Sequence, residues 1–191
     1  TIIESNYGNS VSFAYNNVGY PSDNYPVSFM GSVALVRQTF YDARWYKEAT
    51  GCFNKSPEGQ KKPETNVSLA VLEKAVKGES PCVFESSDYL DDERAQSLAK
   101  EFGLNLWIRG SGDEYKHIDA LKNYPNHLVL PIDFPDTPDV STDNISLRDL
   151  RHWDFAPENP ARIAKSGIPF ALTQDKLDKP DKFLKNLRIA V

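Results

Sequence analysis

The stretch SPCVFESSDYLDDERAQSLAKEFGLNLWIRG, residues 80–110, decides the fold class of this 191-residue chain. It begins with a short apolar strand, Cys82–Glu85, continues as an amphipathic helix over residues 91–102, and ends in a second apolar strand, Leu104–Arg109. Acidic residues in the first turn of the helix and Gly103 after its last residue mark the two helix ends. A strand, a helix and another strand in this order predict two parallel strands joined by a right-handed crossover.

The alternation of strands and helices continues to the end of the chain. Two further apolar strands are predicted at His127–Ile132 and Ile168–Leu172, and an amphipathic helix follows the second of them. Asn159-Pro160 is a typical helix start, with the asparagine as N-cap and the proline in the first helical position. Four such units predict an α/β fold, either a partial (half) TIM-barrel-like parallel sheet or an open sheet, because a closed barrel needs about 250 residues.

Residues 1–79 differ in composition and are expected to form a loop-rich N-terminal segment with two helices, before the βα units of residues 80–191. Two short strands and two helices are expected there, in chain order at Ser12–Tyr15, Val27–Met30, Ser32–Ala49 and Val67–Lys77. Asn66 is placed to cap the second helix and Gly78 to end it.

Charge and hydropathy exclude several classes of partner. The chain has 22 Lys+Arg against 27 Asp+Glu, a net charge of −5, and a nucleic-acid partner is not expected because phosphate contacts need a basic surface. A membrane partner is not expected either, since no apolar run approaches about 18 residues. The compartment stays open between cytoplasmic, periplasmic and secreted. Because the chain begins at Thr1 and stops within a predicted helix, we expect it to be a piece of a longer protein.

Polar side chains follow the predicted strands at the edge where parallel barrels place their active sites. Glu85 and Arg109 end the first two strands, Asp133 follows the third and Asp175 follows the fourth. This set predicts binding of a cation or a polar ligand, unless its members are ordinary solvated loop residues. A catalytic role for Asp175 requires a carboxylate that points toward the barrel axis within reach of Glu85 or Arg109, and a nearby arginine would keep it ionised.

Other chemistry-bearing residues give weaker signals. No two histidines stand at metal-ligand spacing, so we interpret all of them as structural or solvated, namely His117, His127 and His152. The turn Gly110-Ser111-Gly112 lies between a strand and a helix, where phosphate is often bound, but Asp113 and Glu114 beside it would repel an anion. A tight turn is the favoured interpretation, with Ser111 and Glu114 at capping-box spacing.

Around the fourth strand the sequence resembles the amidohydrolase superfamily. The segment GIPFALTQD, residues 167–175, followed by residues 183–191, is similar to the last barrel strand and helix of imidazolonepropionase-like bacterial members. Residues 30–46 are similar to a long helix of those members. A glycine-rich family turn has its nearest counterparts in Gly110, Gly112, Glu114 and Tyr115. The resemblance covers most of residues 26–191.

The resemblance implies a TIM barrel and metal-dependent hydrolysis of C–N bonds in a small-molecule substrate. It implies that Asp175 matches the catalytic, metal-binding aspartate of the family. The position of Arg109 and Glu85 at strand ends, by contrast, is the ground on which we expect them to bind the substrate. The family's His-x-His strand has no counterpart in this sequence, and Glu85 stands where a metal-ligand histidine is expected. The divalent metal of the family, such as zinc, is therefore not expected in this chain.

Three hypotheses about function follow, the third of which is an independent α/β binding domain. In the first, the chain is an internal segment of an amidohydrolase-like hydrolase that acts on amide or cyclic amide bonds other than peptides. This segment is expected to be inactive alone, because half of the barrel and the His-x-His strand are absent from it. The remainder of the parent chain is expected to pack against it. In the second, the chain is a non-catalytic α/β domain that binds a ligand or a partner and derives from an amidohydrolase.

Overall fold

The protein, seen in a computed structural model, is described for residues 9–12, 26, 28–138 and 145–190. Its strands are β1 (Asn9–Ser12), β2 (Pro81–Glu85), β3 (Asn105–Arg109), β4 (Asn126–Pro131) and β5 (Phe170–Thr173). Its α-helices are α1 (Phe29–Lys55), α2 (Val67–Val76), α3 (Tyr89–Phe102), α4 (Ile118–Leu121), α5 (Leu147–Phe155), α6 (Asn159–Ser166) and α7 (Lys182–Ile189). Single turns of 3-10 helix, Glu114–Lys116 and Ala156–Glu158, precede α4 and α6. Among the described helices, none is long and apolar enough to cross a membrane.

The strands form one sheet in the order β1-β2-β3-β4-β5, and β2 to β5 are parallel. In the β3–β4 pair Leu106 lies opposite Asn126, and in the β4–β5 pair Leu128 lies opposite Phe170. Strand order therefore follows chain order, as in the wall of a barrel. The prediction of an α/β fold with a partial, barrel-like parallel sheet is confirmed.

Apolar side chains alternate along the strands and bury one face of the sheet. In β3, Leu106 and Ile108 are buried while the residues between them are half-buried. The large apolar side chains that are fully buried in the strands and in the segments after β3 include Phe84, Leu106, Ile108, Leu121, Leu128, Leu130, Ile132 and Ile163. Ile132 directly follows β4, whereas Leu121 and Ile163 come from α4 and α6, so these helices complete the core that the strands begin.

The chain divides into two compact units, residues 84–96 with 106–191 and residues 2–83 with 97–105. In the second unit α1 packs against α2, and its Phe40 ring lies 5.3 Å from the Phe102 ring. The domain boundary predicted between residues 79 and 80 stays a prediction.

The start of α1 corrects one predicted strand. Ser28 caps the helix by accepting a 3.1 Å hydrogen bond on Oγ from the Gly31 N–H, so the helix begins at Phe29 and the strand predicted at Val27–Met30 is wrong. The helix then continues to Lys55, beyond the predicted end at residue 49. Of the strand predicted at Ser12–Tyr15, only Ser12 lies within the described residues, as the last residue of β1.

Other helix ends agree with the sequence pattern. The Asn66 side chain accepts a 3.0 Å hydrogen bond from the Leu69 N–H at the start of α2. Gly78 follows α2 with a φ of 71°, and Gly167 follows α6 with a φ of 80°. This left-handed conformation favours glycine after a helix, which is why the sequence marks these ends correctly.

The turn after β3 is tight because a buried side chain fills it. A Cβ atom on Gly110 would lie 1.9 Å from Oε1 of Glu114, which is itself fully buried. The Gly112 N–H donates to the same Oε1 at 3.0 Å, so this amide is not available to a phosphate. The predicted tight turn is therefore supported by its contacts. The capping box is wrong, since Ser111 Oγ donates to Asp113 Oδ1 and Glu114 turns inward.

We expect Gly110→Ala to lower the free energy of unfolding by about 1–3 kcal/mol, because the added methyl group overlaps a buried carboxyl. The measurement is urea unfolding monitored by circular dichroism. Gly51→Ala is the matched control: it lies inside α1 with open space where the methyl group would stand, and we expect it to gain up to about 1 kcal/mol. Equal stability of Gly110→Ala and the unmodified chain would show that the turn relaxes freely.

Candidate functional site

Strand register places the predicted site residues on one face of the sheet. Arg109 lies opposite Val129 in the β3–β4 pair, and Val129 lies opposite Ala171 in the β4–β5 pair. Because side chains alternate between the two faces, Thr173 shares the face of Ala171 and Arg109. Asp175 stands two residues after Thr173, just past the end of β5. The register thus directs Arg109 and Asp175 to the same edge and the same face.

The side chains of Glu85, Arg109 and Asp175 meet there, and we call this group the Arg109 clamp. Arg109 Nη1 donates to Glu85 Oε1 at 3.1 Å, and Arg109 Nη2 donates to Asp175 Oδ2. The three side chains are 46%, 38% and 36% exposed in chain order, so the group is open to solvent. Asp175 thus lies within reach of Arg109, as a catalytic role requires. The catalytic role of Asp175 and the substrate-binding roles of Arg109 and Glu85 stay predictions.

Hydrogen bonding within the Arg109 clamp shifts the pKa of two members. The Arg109 guanidinium holds the pKa of Asp175 below its usual value, and Asp175 in turn raises the pKa of Arg109. Asp175 is therefore ionised at neutral pH and a weak base while Arg109 holds it. With two carboxylates and one guanidinium, the clamp carries a formal charge of −1.

The turn that carries Asp175 is held by its own backbone. The Asp175 N–H donates to Thr173 Oγ1 at 3.1 Å, and the Leu177 N–H donates to the Gln174 carbonyl at 3.1 Å. Lys176 has a φ of 69°, in the left-handed region that non-glycine residues rarely adopt. Such a conformation costs about 1–2 kcal/mol and persists only where its surroundings impose it. The turn thus fixes the carboxylate at the strand end.

Asp133, the fourth residue predicted at this edge, is not part of the clamp. It is exposed after β4, and its charge acts on Lys182 instead. The sequence pattern could place Asp133 at a strand end, but its partner depends on how the chain turns after that end.

A buried pair, Asp92 and His117, was not expected as a unit. His117 Nε2 lies 2.9 Å from Asp92 Oδ2, and the side chains are 9% and 0% exposed. Burial raises the pKa of Asp92, and the hydrogen bond to His117 opposes that rise. In the sequence, Asp92 is recognisable only as one of the acidic residues in the first turn of a helix. A favourable interaction with the helix dipole explains such residues without burial, so the pattern did not predict the pair. The structural interpretation of His117 stays consistent with this contact.

The other two histidines make aromatic contacts. The His127 ring stacks on Trp107 with centroids 5.0 Å apart. His152 Nδ1 lies 3.1 Å from the Tyr115 hydroxyl, and burial lowers the pKa of His152. Within the described residues no group of three or more histidine, cysteine, aspartate or glutamate side chains is arranged to hold a metal ion.

The residues present do not fit the zinc that the family resemblance implies. Both carboxylates of the clamp are engaged by the positively charged Arg109, and no imidazole contacts them within the described part of the chain. Cys82 offers no alternative ligand or nucleophile, because burial raises the pKa of its thiol to about 12.

We expect the isolated chain to hold less than about 0.1 zinc per chain after purification, because the cationic Arg109 repels a divalent ion from the clamp. Elemental analysis by plasma mass spectrometry measures this. Arg109→Met keeps the volume and removes the charge, so any gain of zinc in that variant reports on the arginine. Stoichiometric zinc in the unmodified chain, bound by two or more of these residues, would contradict the expectation.

Glu114 is the second buried acid that the sequence did not reveal. Its Oε2 accepts a 2.6 Å hydrogen bond from Asn159 Nδ2, which joins the turn after β3 to the first residue of α6. This corrects the expected role of Asn159, whose side chain contacts Glu114 rather than capping the helix. Burial raises the pKa of Glu114. Asn159 Oδ1 is also buried and lacks a hydrogen-bond partner within the described residues.

Because the pKa of Glu114 is raised in the folded chain, the free energy of unfolding decreases as this group ionises at higher pH. Its contribution to the free energy of unfolding is full below the unfolded-state pKa and is lost as pH rises through the folded-state pKa. We therefore expect Glu114→Gln to become more stable relative to the unmodified chain between pH 4 and 8. Urea unfolding at several pH values measures this, and Glu93→Gln on the surface of α3 serves as control. Parallel profiles for Glu114→Gln and the unmodified chain would contradict a neutral Glu114.

Comparison with known proteins gives one structural match. No protein-family model matches the chain, and no curated protein matches it at a significant level. A crystal structure of an amidohydrolase from Thermotoga maritima MSB8 is similar, with a TM-score of 0.73 and 23% sequence identity. The match covers 100% of this chain and 48% of that chain, so this chain spans about half the length of its structural neighbour. At this identity the likeness shows the fold, an amidohydrolase-like α/β architecture.

Proposed function

We propose that the chain is part of an amidohydrolase-like hydrolase that acts on amide or cyclic amide C–N bonds other than peptides in a small-molecule substrate. Asp175 is assigned proton transfer, and Arg109 and Glu85 are assigned substrate binding. The observation that carries the proposal is the Arg109 clamp, in which residues from the ends of β2, β3 and β5 meet at one edge. Parallel barrels place their reacting groups at this edge. The fold shared with an amidohydrolase supports the reaction class.

Arg109 couples substrate binding to the basicity of Asp175 in this proposal. While Arg109 donates to Asp175, the low pKa of the carboxylate makes it a poor proton acceptor. A substrate carbonyl or carboxylate that takes over the guanidinium would release Asp175 and let its pKa rise. The released carboxylate then accepts a proton from water as the water oxygen bonds to the carbonyl carbon. The same proton passes to the nitrogen as the C–N bond breaks.

The proposal assigns the remaining half of the site to the rest of the parent protein. The chain spans 48% of its structural neighbour, and its sheet face that carries Arg109 is only half-buried. The isolated chain is therefore proposed to be inactive, and the parent chain is proposed to pack against it.

We expect Asp175→Asn in the longer parent protein to lower kcat by at least about 100-fold with an unchanged circular dichroism spectrum, because the amide cannot accept the proton. Release of amine or ammonia from a panel of N-acyl amides and cyclic amides measures the activity. Asp178→Asn is the matched control, since Asp178 lies in the same loop and pairs with Lys182 at 2.8 Å. Retained activity in Asp175→Asn would remove Asp175 from the mechanism.

One observation favours a second candidate, a non-catalytic domain that binds a ligand or partner. Both clamp carboxylates are already paired with Arg109, which lowers the pKa of Asp175, and a general base works best with a pKa near the working pH. The two candidates differ in the parent protein: the second gives saturable binding of an amide without any turnover, whereas the first gives turnover that depends on Asp175.

A further inference from the structure

A basic cavity lies on the first unit and shares no lining residue with the Arg109 clamp. It has a volume of about 530 Å³ and is bordered by the segment of residues 115–122 and by α6. We call it the α4–α6 cavity. Its charged lining consists of Lys116, Lys122, Arg162, Lys165 and one carboxylate, Asp119. The lining itself has three more cations than carboxylates. Two carboxylates beside it, Asp113 and Glu158, pair with Lys116 and Arg162 and reduce the surplus to one positive charge, in a chain whose net charge is −5.

Two of these cations are held in place by contacts with neighbouring side chains that do not line the cavity. Arg162 donates through Nε and Nη2 to Glu158 at 3.0 and 2.8 Å, and its guanidinium lies 4.8 Å from the Phe155 ring centroid. Lys116 Nζ lies 2.8 Å from Asp113 Oδ2. Contacts of this kind lower the conformational entropy that a ligand must remove, so this wall of the cavity is pre-organised.

The other two cations are available to a ligand. Lys122 is 3.9 Å from Asp119, whose side chain is fully exposed, so the pair is weak. Lys165 is exposed and forms no ion pair with any residue that the structure describes. Both are long, flexible side chains, one on each side of the cavity, and can close on an anion between them.

His117 also borders the cavity. Its side chain is 9% exposed, and its Nε2 is committed to Asp92. Its Nδ1 is buried and has no hydrogen-bond partner among the described residues. His117 therefore adds no accessible charge to the lining, and recognition of an anion rests on the four cations.

We propose that the α4–α6 cavity binds a small phosphate-bearing molecule with at least two negative charges, which goes beyond the proposed hydrolase function. Cations on both walls suit an anion that bridges them, and the volume is within the usual range for small-ligand sites. The net charge of −5 opposes extended polyanions such as nucleic acid or an anionic membrane surface. An open depression with cations on two of its sides therefore favours a small anion.

The test is isothermal titration calorimetry of the full chain with inorganic pyrophosphate, orthophosphate and citrate at constant ionic strength. We expect saturable 1:1 binding of pyrophosphate that is tighter than that of orthophosphate and of citrate. Lys122→Met with Lys165→Met should weaken pyrophosphate binding at least about tenfold, since two charged contacts are lost. Lys100→Met with Lys179→Met is the matched control, because it removes the same charge from exposed sites elsewhere and should change the affinity less than about twofold.

Distinct results would overturn the proposal. Absence of saturable pyrophosphate binding to a folded chain would exclude the site, and equal weakening in both double variants would indicate an effect of overall charge only. Tighter binding of citrate than of pyrophosphate would show that the cavity recognises carboxylate groups rather than phosphate groups. Co-sedimentation with phosphatidylserine vesicles, without pyrophosphate binding, would indicate a membrane surface instead. None of the substituted lysines belongs to the Arg109 clamp, so these results are independent of the hydrolase proposal.

Discussion

Parallel pairing of β3, β4 and β5 in a fixed register is the constraint on which the candidate site depends. The pairing sets Arg109 opposite Val129 and Val129 opposite Ala171. Because side chains alternate with a period of two, a slip of one residue in either pair would send Arg109 and the residues leading to Asp175 to opposite faces. The hydrophobic pattern prevents such a slip, since it would also expose buried side chains such as Ile108 and Leu130. The same core that stabilises the sheet therefore aligns its polar edge.

The edge of the sheet rests on a second constraint, the burial of Glu114. Its carboxyl fills the space next to Gly110 and reaches Asn159, so the exit of β3 and the start of α6 are joined by one polar contact. Burial of an acid is unfavourable unless its oxygens are satisfied or it is protonated. The turn provides the Gly112 amide and the helix provides the Asn159 amide. These contacts hold the segment that immediately follows Arg109.

Charge compensation links the Arg109 clamp to its possible chemistry. One guanidinium pairs with two carboxylates, so the group keeps a formal charge of −1. The same compensation lowers the pKa of Asp175 and suppresses its basicity. A ligand that competes for Arg109 would change both the charge balance of the clamp and the pKa of Asp175. The basicity of Asp175 therefore depends on what Arg109 binds. The basic α4–α6 cavity shows the opposite balance, with cations in excess over their partners.

The sequence by itself determined the alternation of strands and helices and several helix ends, because hydrophobic periodicity, the Asn66 cap and the glycines after helices act over a few residues. It also placed Glu85, Arg109 and Asp175 at strand ends. Only the tertiary structure decided which of these residues meet, because Arg109 lies 24 residues from Glu85 and 66 from Asp175 along the chain. The inward turn of Glu114 and the pairing of Asp92 with His117 are likewise tertiary, since local spacing fits a cap or a helix dipole equally well. Burial of a polar group depends on what packs over it, and elements distant in sequence provide that cover.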